Sequence, residues 1–147
     1  MFQRILVATD GSPLSKKAVA SAVALAAQNG SELVALTVVP RYPTNYFDGA
    51  AVFTPEDIGR IEKQWSDAAQ AALDAVADEA KAAGVSIKTS VMSSDLVGDA
   101  IINAAKKHEA NLIVMASHGR KGIKRLLLGS ETQHVLTHTE LPVLVLR

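Results

Sequence analysis

The sequence predicts an open, doubly wound α/β sheet, and three observations carry that prediction. Five short apolar runs alternate strictly with four stretches of helical period. Most of the runs are apolar nearly throughout and do not alternate with polar residues, as expected of strands covered on both faces. A helix-forming stretch or a long connection separates each run from the next, so the strands are joined by crossovers. Crossovers make the sheet parallel, and their fixed handedness lays helices on both faces.

The first run, Ile5-Leu6-Val7-Ala8, closes on the turn signal Asp10-Gly11-Ser12-Pro13. In the helix that follows, Ala18, Ala22, Leu25 and Ala26 share a face. Ser12 suits its cap, Pro13 its first turn and Gly30 its stop. Leu33 to Val39 is the second strand. From Thr54-Pro55-Glu56-Asp57 the period becomes helical for about 28 residues, with Ile58, Ile61, Trp65, Ala69, Leu73, Val76 and Ala80 at three- and four-residue steps and Gly84 at the end. Val85 to Met92, Leu112 to Ala116 and Val143 to Leu146 are the remaining strands. Helices over Leu96 to Lys107 and Ser130 to Thr139 separate them.

Between the second strand and the long helix, Pro40 to Phe53 has no clear period and holds four of the six aromatic residues, Tyr42, Tyr46, Phe47 and Phe53. A connection of this length is often functional. One reading is a lid over a bound group; the other is packing against Trp65 and the long helix.

Composition narrows the function classes. At 147 residues, 48% apolar, the chain is one domain over 1–147; a domain of this size buries roughly 68–70% of its unfolded surface. Lys plus Arg (15) balance Asp plus Glu (15), which argues against a nucleic-acid binder. No apolar run approaches the roughly 18–20 residues of a membrane span. The chain has no Cys, which excludes disulfides, thiolate metal sites and a cysteine nucleophile. The expectation is a soluble, cytoplasmic domain.

In an open parallel sheet, ligands bind outside the carboxyl ends of the strands, where strand order reverses. Two strand ends are unusual here. The first is Ala8-Thr9-Asp10-Gly11-Ser12; the second is Met115-Ala116-Ser117-His118-Gly119, leading to Gly129-Ser130. Gly119 and Gly129 permit close backbone approach. A helix opening at Ser130 adds free amides and about half a positive charge. Arg120, Lys121, Lys124 and Arg125 add four cations, in a carboxyl-terminal region (84–147) with 8 basic against 5 acidic residues. Together these read as an anion cradle. Local readings compete: Ser130-Glu131-Thr132-Gln133 fits a capping box, and Asp10 can simply turn the chain.

Other sites are less supported. Neither Gly-x-x-x-x-Gly-Lys-Ser/Thr nor Gly-x-Gly-x-x-Gly occurs. Ser130 and His118 can approach across the loop, but the strand–Gly-x-Ser-x-Gly–helix elbow of a serine hydrolase is absent. Glu131, His134 and His138 share a helical face at a spacing that can hold zinc or nickel; equally, histidines near a helix end suit the dipole.

Three segments together resemble the universal stress protein family over the full length: Ile5-Leu6-Val7-Ala8-Thr9-Asp10-Gly11-Ser12, Ser117-His118-Gly119 with nine residues to Gly129-Ser130, and Leu141-Pro142-Val143-Leu144-Val145. The resemblance implies a five-stranded parallel sheet in order 3-2-1-4-5. Members that bind ATP carry Gly, two residues, Gly, nine residues, then Gly-Ser or Gly-Thr. Here the first glycine is Ala116. The resemblance further implies that Ala8, Thr9 and Asp10 line the ribose and base, and that Val38 offers its backbone to adenine. Met115, Ala116, His118 and Gly119 would form the wall and the start of the phosphate loop, and Gly129, Ser130, Glu131 and Thr132 would hold phosphates. It implies ATP or AMP, with Mg2+ or Mn2+ bridging the phosphates of ATP, and a homodimer through Val143 to Arg147. A regulatory stress-response protein with an unidentified protein partner follows, with hydrolysis slow or absent; the alternatives are a nucleotide-free dimeric interaction module and a slow ATPase.

Overall fold

A computed structural model describes residues 1–41, 53–119 and 128–147. In chain order the elements are β1 (Arg4–Ala8), α1 (Pro13–Asn29), β2 (Glu32–Val39), α2 (Pro55–Ala82), β3 (Ile87–Ser93), α3 (Val97–Lys107), β4 (Leu112–Ala116), α4 (Ser130–His138) and β5 (Val143–Leu146). The five strands form one parallel sheet, as the pattern of the sequence predicts, in the order β3-β2-β1-β4-β5 that the family resemblance implies. Order reverses between β1 and β4, where Ile5 pairs with Leu112 and Val7 with Val114. The carboxyl ends of these two strands therefore finish side by side.

Strand alternation divides the interior into two layers. Ile5, Val7, Leu33, Ala35, Leu112 and Val114 face α1 and α2, meeting Ala18, Ala22, Leu73 and Ala80. Leu6, Val34, Leu36, Ile113 and Met115 face the other way, onto Ile101, Ala104 and Ala105 of α3 and Val135 of α4. Alanine on the inner helix faces lets the helices lie close to the sheet, so the core is filled without a fully buried aromatic ring among the described residues. Within α2, Ala69, Leu73 and Ala80 are buried, while Ile58, Ile61 and Trp65 are only half-buried. Length accounts for this. At 28 residues α2 is about 42 Å long, whereas the seven-residue β3 spans about 23 Å; the helix overruns its strand.

The helix ends show which local signals operate. Ser12 caps α1, with its hydroxyl accepting from the Ser15 amide at 3.2 Å, Pro13 follows, and Gly30 closes the helix at φ 65°. Thr54 and Asp57 form a reciprocal capping box at the start of α2. The competing capping-box reading of Ser130 to Gln133 does not hold: Gly129 is the cap, Ser130 is the first helical residue, and among the described residues no side chain caps the helix.

The amino ends of the strands are tied by Arg4. Its side chain meets Glu32 at 2.8 Å and donates to the carbonyl of His108 at 2.9 Å, joining β1, β2 and the end of α3. This end of the sheet carries structural contacts. Burial, and then the charges of Lys107, Lys88 and Arg4, hold the His108 imidazole below its ordinary value of 6.5. A histidine kept neutral by the fold takes up protons more readily once unfolded. Its contribution is therefore complete above about pH 6.5 and declines as pH falls through that value toward the lowered folded one. Denaturant unfolding between about pH 7 and pH 5 should show this decline, and His108→Gln should flatten it; superposable profiles would contradict the assignment.

Candidate functional site

The carboxyl end of β1 is held by short-range bonds. The Thr9 amide donates to the Leu36 carbonyl at 2.9 Å, and the Thr9 carbonyl accepts from the Thr37 hydroxyl at 2.9 Å, so the chain follows β2 to the last rung. The Thr9 hydroxyl pairs with that of Ser15 at 3.0 Å. Gly11 then turns at φ 78°, a backbone angle that suits only glycine well. The turn is closed by the Asp10 carboxylate, which accepts from the Ser12 amide at 2.9 Å. Asp10 does turn the chain, and in doing so it is fixed at the mouth of the sheet.

The carboxyl end of β4 is pinned from two sides. The Ser117 amide donates to Leu146 of β5 at 2.7 Å, and the Ser117 carbonyl accepts from the Gly129 amide at 2.7 Å. A Cβ on Gly129 would lie 3.2 Å from both the Ser117 carbonyl oxygen and His118 Cα, which are backbone atoms that cannot swing aside. At Gly129 φ is −63°, so it is space and not a left-handed angle that calls for glycine. On Gly119 a Cβ would lie 2.8 Å from Asp10 Oδ2. The two strand ends singled out in the sequence thus meet in space, through Asp10 and Gly119.

Facing this junction is the start of α4. The amides of Ser130, Glu131 and Thr132 have no acceptor among the described residues; Gln133 is the first to bond within the helix, to Gly129 at 3.0 Å. Three open donors at the positive end of a helix favour an anion. The Glu131 carboxylate currently accepts from the Ser130 hydroxyl at 3.0 Å. Thr132 offers a ligand its amide only, because its hydroxyl is buried and donates to the Ala116 carbonyl at 2.9 Å. His118 is half-buried, with Nδ1 3.2 Å from the Ser117 hydroxyl.

Ala8, Val38 and Met115 lie on the α3 side of the sheet and form an apolar shelf across the ends of three adjacent strands. Ala116 is the last residue of β4, paired with Leu146. Glu109 is the one described non-glycine residue at positive φ, so Ala116 is unstrained. Alanine at the motif's first position adds a methyl group and no backbone penalty. Arg120, Lys121, Lys124 and Arg125, and with them Tyr42, Tyr46 and Phe47 of the lid reading, lie outside the described residues.

The histidines of α4 have other partners. His134 Nε2 is 2.6 Å from Asp99 Oδ1 of α3. The His134 and His138 rings stack at 4.1 Å, and His138 Nδ1 donates to the His134 carbonyl at 2.9 Å. Gly98 makes this fit possible, since a Cβ there would come within 2.6 Å of His134 Cδ2. Among the described residues no group of three His, Asp or Glu side chains is placed to hold a metal ion. Sequence reasoning missed Asp99, because a single carboxylate 35 positions from its partner follows no local motif.

With the geometry established, comparison with known proteins is informative. The model of the universal stress protein family matches residues 1–147. The universal stress protein YxiE of Bacillus subtilis is 33% identical over 150 residues, covering 100% of both chains. Universal stress protein UspA from Lactobacillus plantarum superposes with a TM-score of 0.83 at 26% identity, over 99% of this chain and 97% of that one. A universal stress protein solved in complex with cAMP superposes with a TM-score of 0.68 at 28% identity, over 99% and 97% of the two chains.

Proposed function

The chain belongs to the universal stress protein family, and from that premise we propose that it is a regulatory protein binding an adenine nucleotide, ATP or AMP, in the crevice between β1 and β4. The observation that carries this reading is the meeting of Asp10 and Gly119 opposite the three open amides of α4. The cAMP complex of a structural relative supports the adenine.

In this reading the base rests on the shelf of Ala8, Val38 and Met115, and Thr9 and Asp10 face the ribose. The phosphates follow Gly119 to Gly129 and take the amides of Ser130, Glu131 and Thr132, where the helix dipole adds to the hydrogen bonds. Mg2+ or Mn2+ bridges the phosphates of ATP. The Glu131 carboxylate opposes phosphate and must turn away as the Ser130 hydroxyl changes partner. Occupancy selects one arrangement of the segment from 119 to 129, and a protein partner reads the difference. No helix among the described residues is long and apolar enough to cross a membrane, and the reading puts the protein in the cytoplasm. Catalysis has no role in it, although Asp10 is the carboxylate on which slow hydrolysis would depend.

Calorimetry with Mg-ATP tests the site. Gly129→Val should lower affinity at least about tenfold, and Ser130→Ala by up to about tenfold, near 1.4 kcal/mol. Glu131→Gln should raise affinity by about two- to fivefold, equivalent to about 0.4–1 kcal/mol. Affinities equal to the parent in all three variants would remove the phosphate assignment.

The second part of the proposal is a two-fold homodimer through β5. This strand is a sheet edge, and Leu144 on it is 41% exposed; an apolar edge is a template for pairing. Analytical ultracentrifugation should find a dimer that Leu144→Asp converts to monomer. A parent monomer at every concentration would contradict it. Were the dimer found with no affinity for nucleotide, the interaction module would be the better reading, with the methyl of Ala116 as its cause.

A further inference from the structure

An open cleft of about 550 Å3 lies along α3, sharing no residue with the nucleotide crevice. Its volume is within the range of about 300–1,000 Å3 typical of small-molecule sites. Met92, Leu96, Ala100 and Ile102 give it an apolar floor. Arg41, Lys106 and His138 stand around that floor, and Asp99 is the single acidic residue in the lining. His134 Nε2 lies 2.6 Å from Asp99 Oδ1. Neither Arg41 nor Lys106 forms an ion pair among the described residues. Arg41 and Lys106 thus outnumber the one carboxylate of a lining that is part polar and part apolar.

Leu96 is the second observation. It occupies the N-cap position of α3, where Ser, Thr, Asp or Asn is strongly preferred, and it makes no capping bond. At the same time it is 65% exposed, so the core gains little from it. Leu96 is thus an exposed apolar side chain at an uncapped helix start, and it lines the cleft.

We propose that this cleft is a second ligand site, for a small organic anion with an apolar body. Arg41 is at the end where α3 begins, beside Asp95, whose carboxylate accepts from the Arg41 amide at 3.1 Å. Lys106 is in the last turn, about 15 Å further along the helix. The anionic head pairs with one of these two cations, and the hydrocarbon lies on Met92 and Leu96. Val38 pairs with Met92 across β2 and β3, so the site borders the base end of the crevice without overlapping it.

The test is a fluorescence titration of the full chain with anilinonaphthalene sulfonate, in the presence of excess Mg-ATP. Saturable binding at one site per chain is expected, with affinity lowered about tenfold or more by the double variant Arg41→Glu, Lys106→Glu. Leu96→Ser should also weaken the probe while leaving thermal stability equal or higher, since serine is the better cap; a merely structural Leu96 would not separate the two. Unchanged probe affinity in the double variant, or displacement of the probe by Mg-ATP, would overturn the proposal. The outcome does not depend on whether the crevice binds nucleotide.

Discussion

The structure around the candidate site depends on two places where a side chain has no room. Gly119 lies so close to the Asp10 carboxylate that a Cβ would come within 2.8 Å of it, and Gly129 lies against the backbone of Ser117 and His118 at 3.2 Å. The first contact brings the end of β4 to the end of β1; the second folds the chain back so that α4 starts over the same spot. A bulkier residue at Gly129 would press on backbone, whereas at Gly119 the Asp10 carboxylate would have to move aside. The crevice is thus a consequence of close packing, which leaves few voids and transmits any change in volume.

From that constraint the electrostatics follow. Because Gly129 stands at the cap of α4, and among the described residues no side chain takes the first-turn amides, three donors are left open at the positive end of the helix. The start of α1 is different: Ser12 supplies a hydroxyl to the Ser15 amide, and Pro13 has no N–H to leave open. The first turn of α1 is thus satisfied in part by its own cap, whereas among the described residues that of α4 is not.

Much of this was legible in the sequence, for identifiable reasons. Leu112 to Ala116 and Val143 to Leu146 are strands to the residue, because fully apolar runs bounded by polar turns leave little ambiguity. Ser12, Pro13 and Gly30 bound α1 because caps and stops act within one turn. The sequence leaves the start of α4 open between an anion cradle and a local capping box. Ser130 to Gln133 satisfies a local pattern, but the bond from Gly129 to Ser117 is tertiary and takes precedence. Asp99 meeting His134 beside Gly98 is also tertiary and leaves no spacing to find. In the long α2 stripe, period alone does not say where the sheet ends, so Ile58, Ile61 and Trp65 were indistinguishable from Leu73.

The most direct test of the crevice is to watch the donors themselves. In amide proton–nitrogen NMR spectra titrated with Mg-ATP, the account predicts that Ser130, Glu131 and Thr132 shift together with Thr9, Asp10 and Gly119, along one saturating curve. If those amides stay still while the nucleotide binds, or moves signals elsewhere on the protein, the crevice between β1 and β4 is not its site.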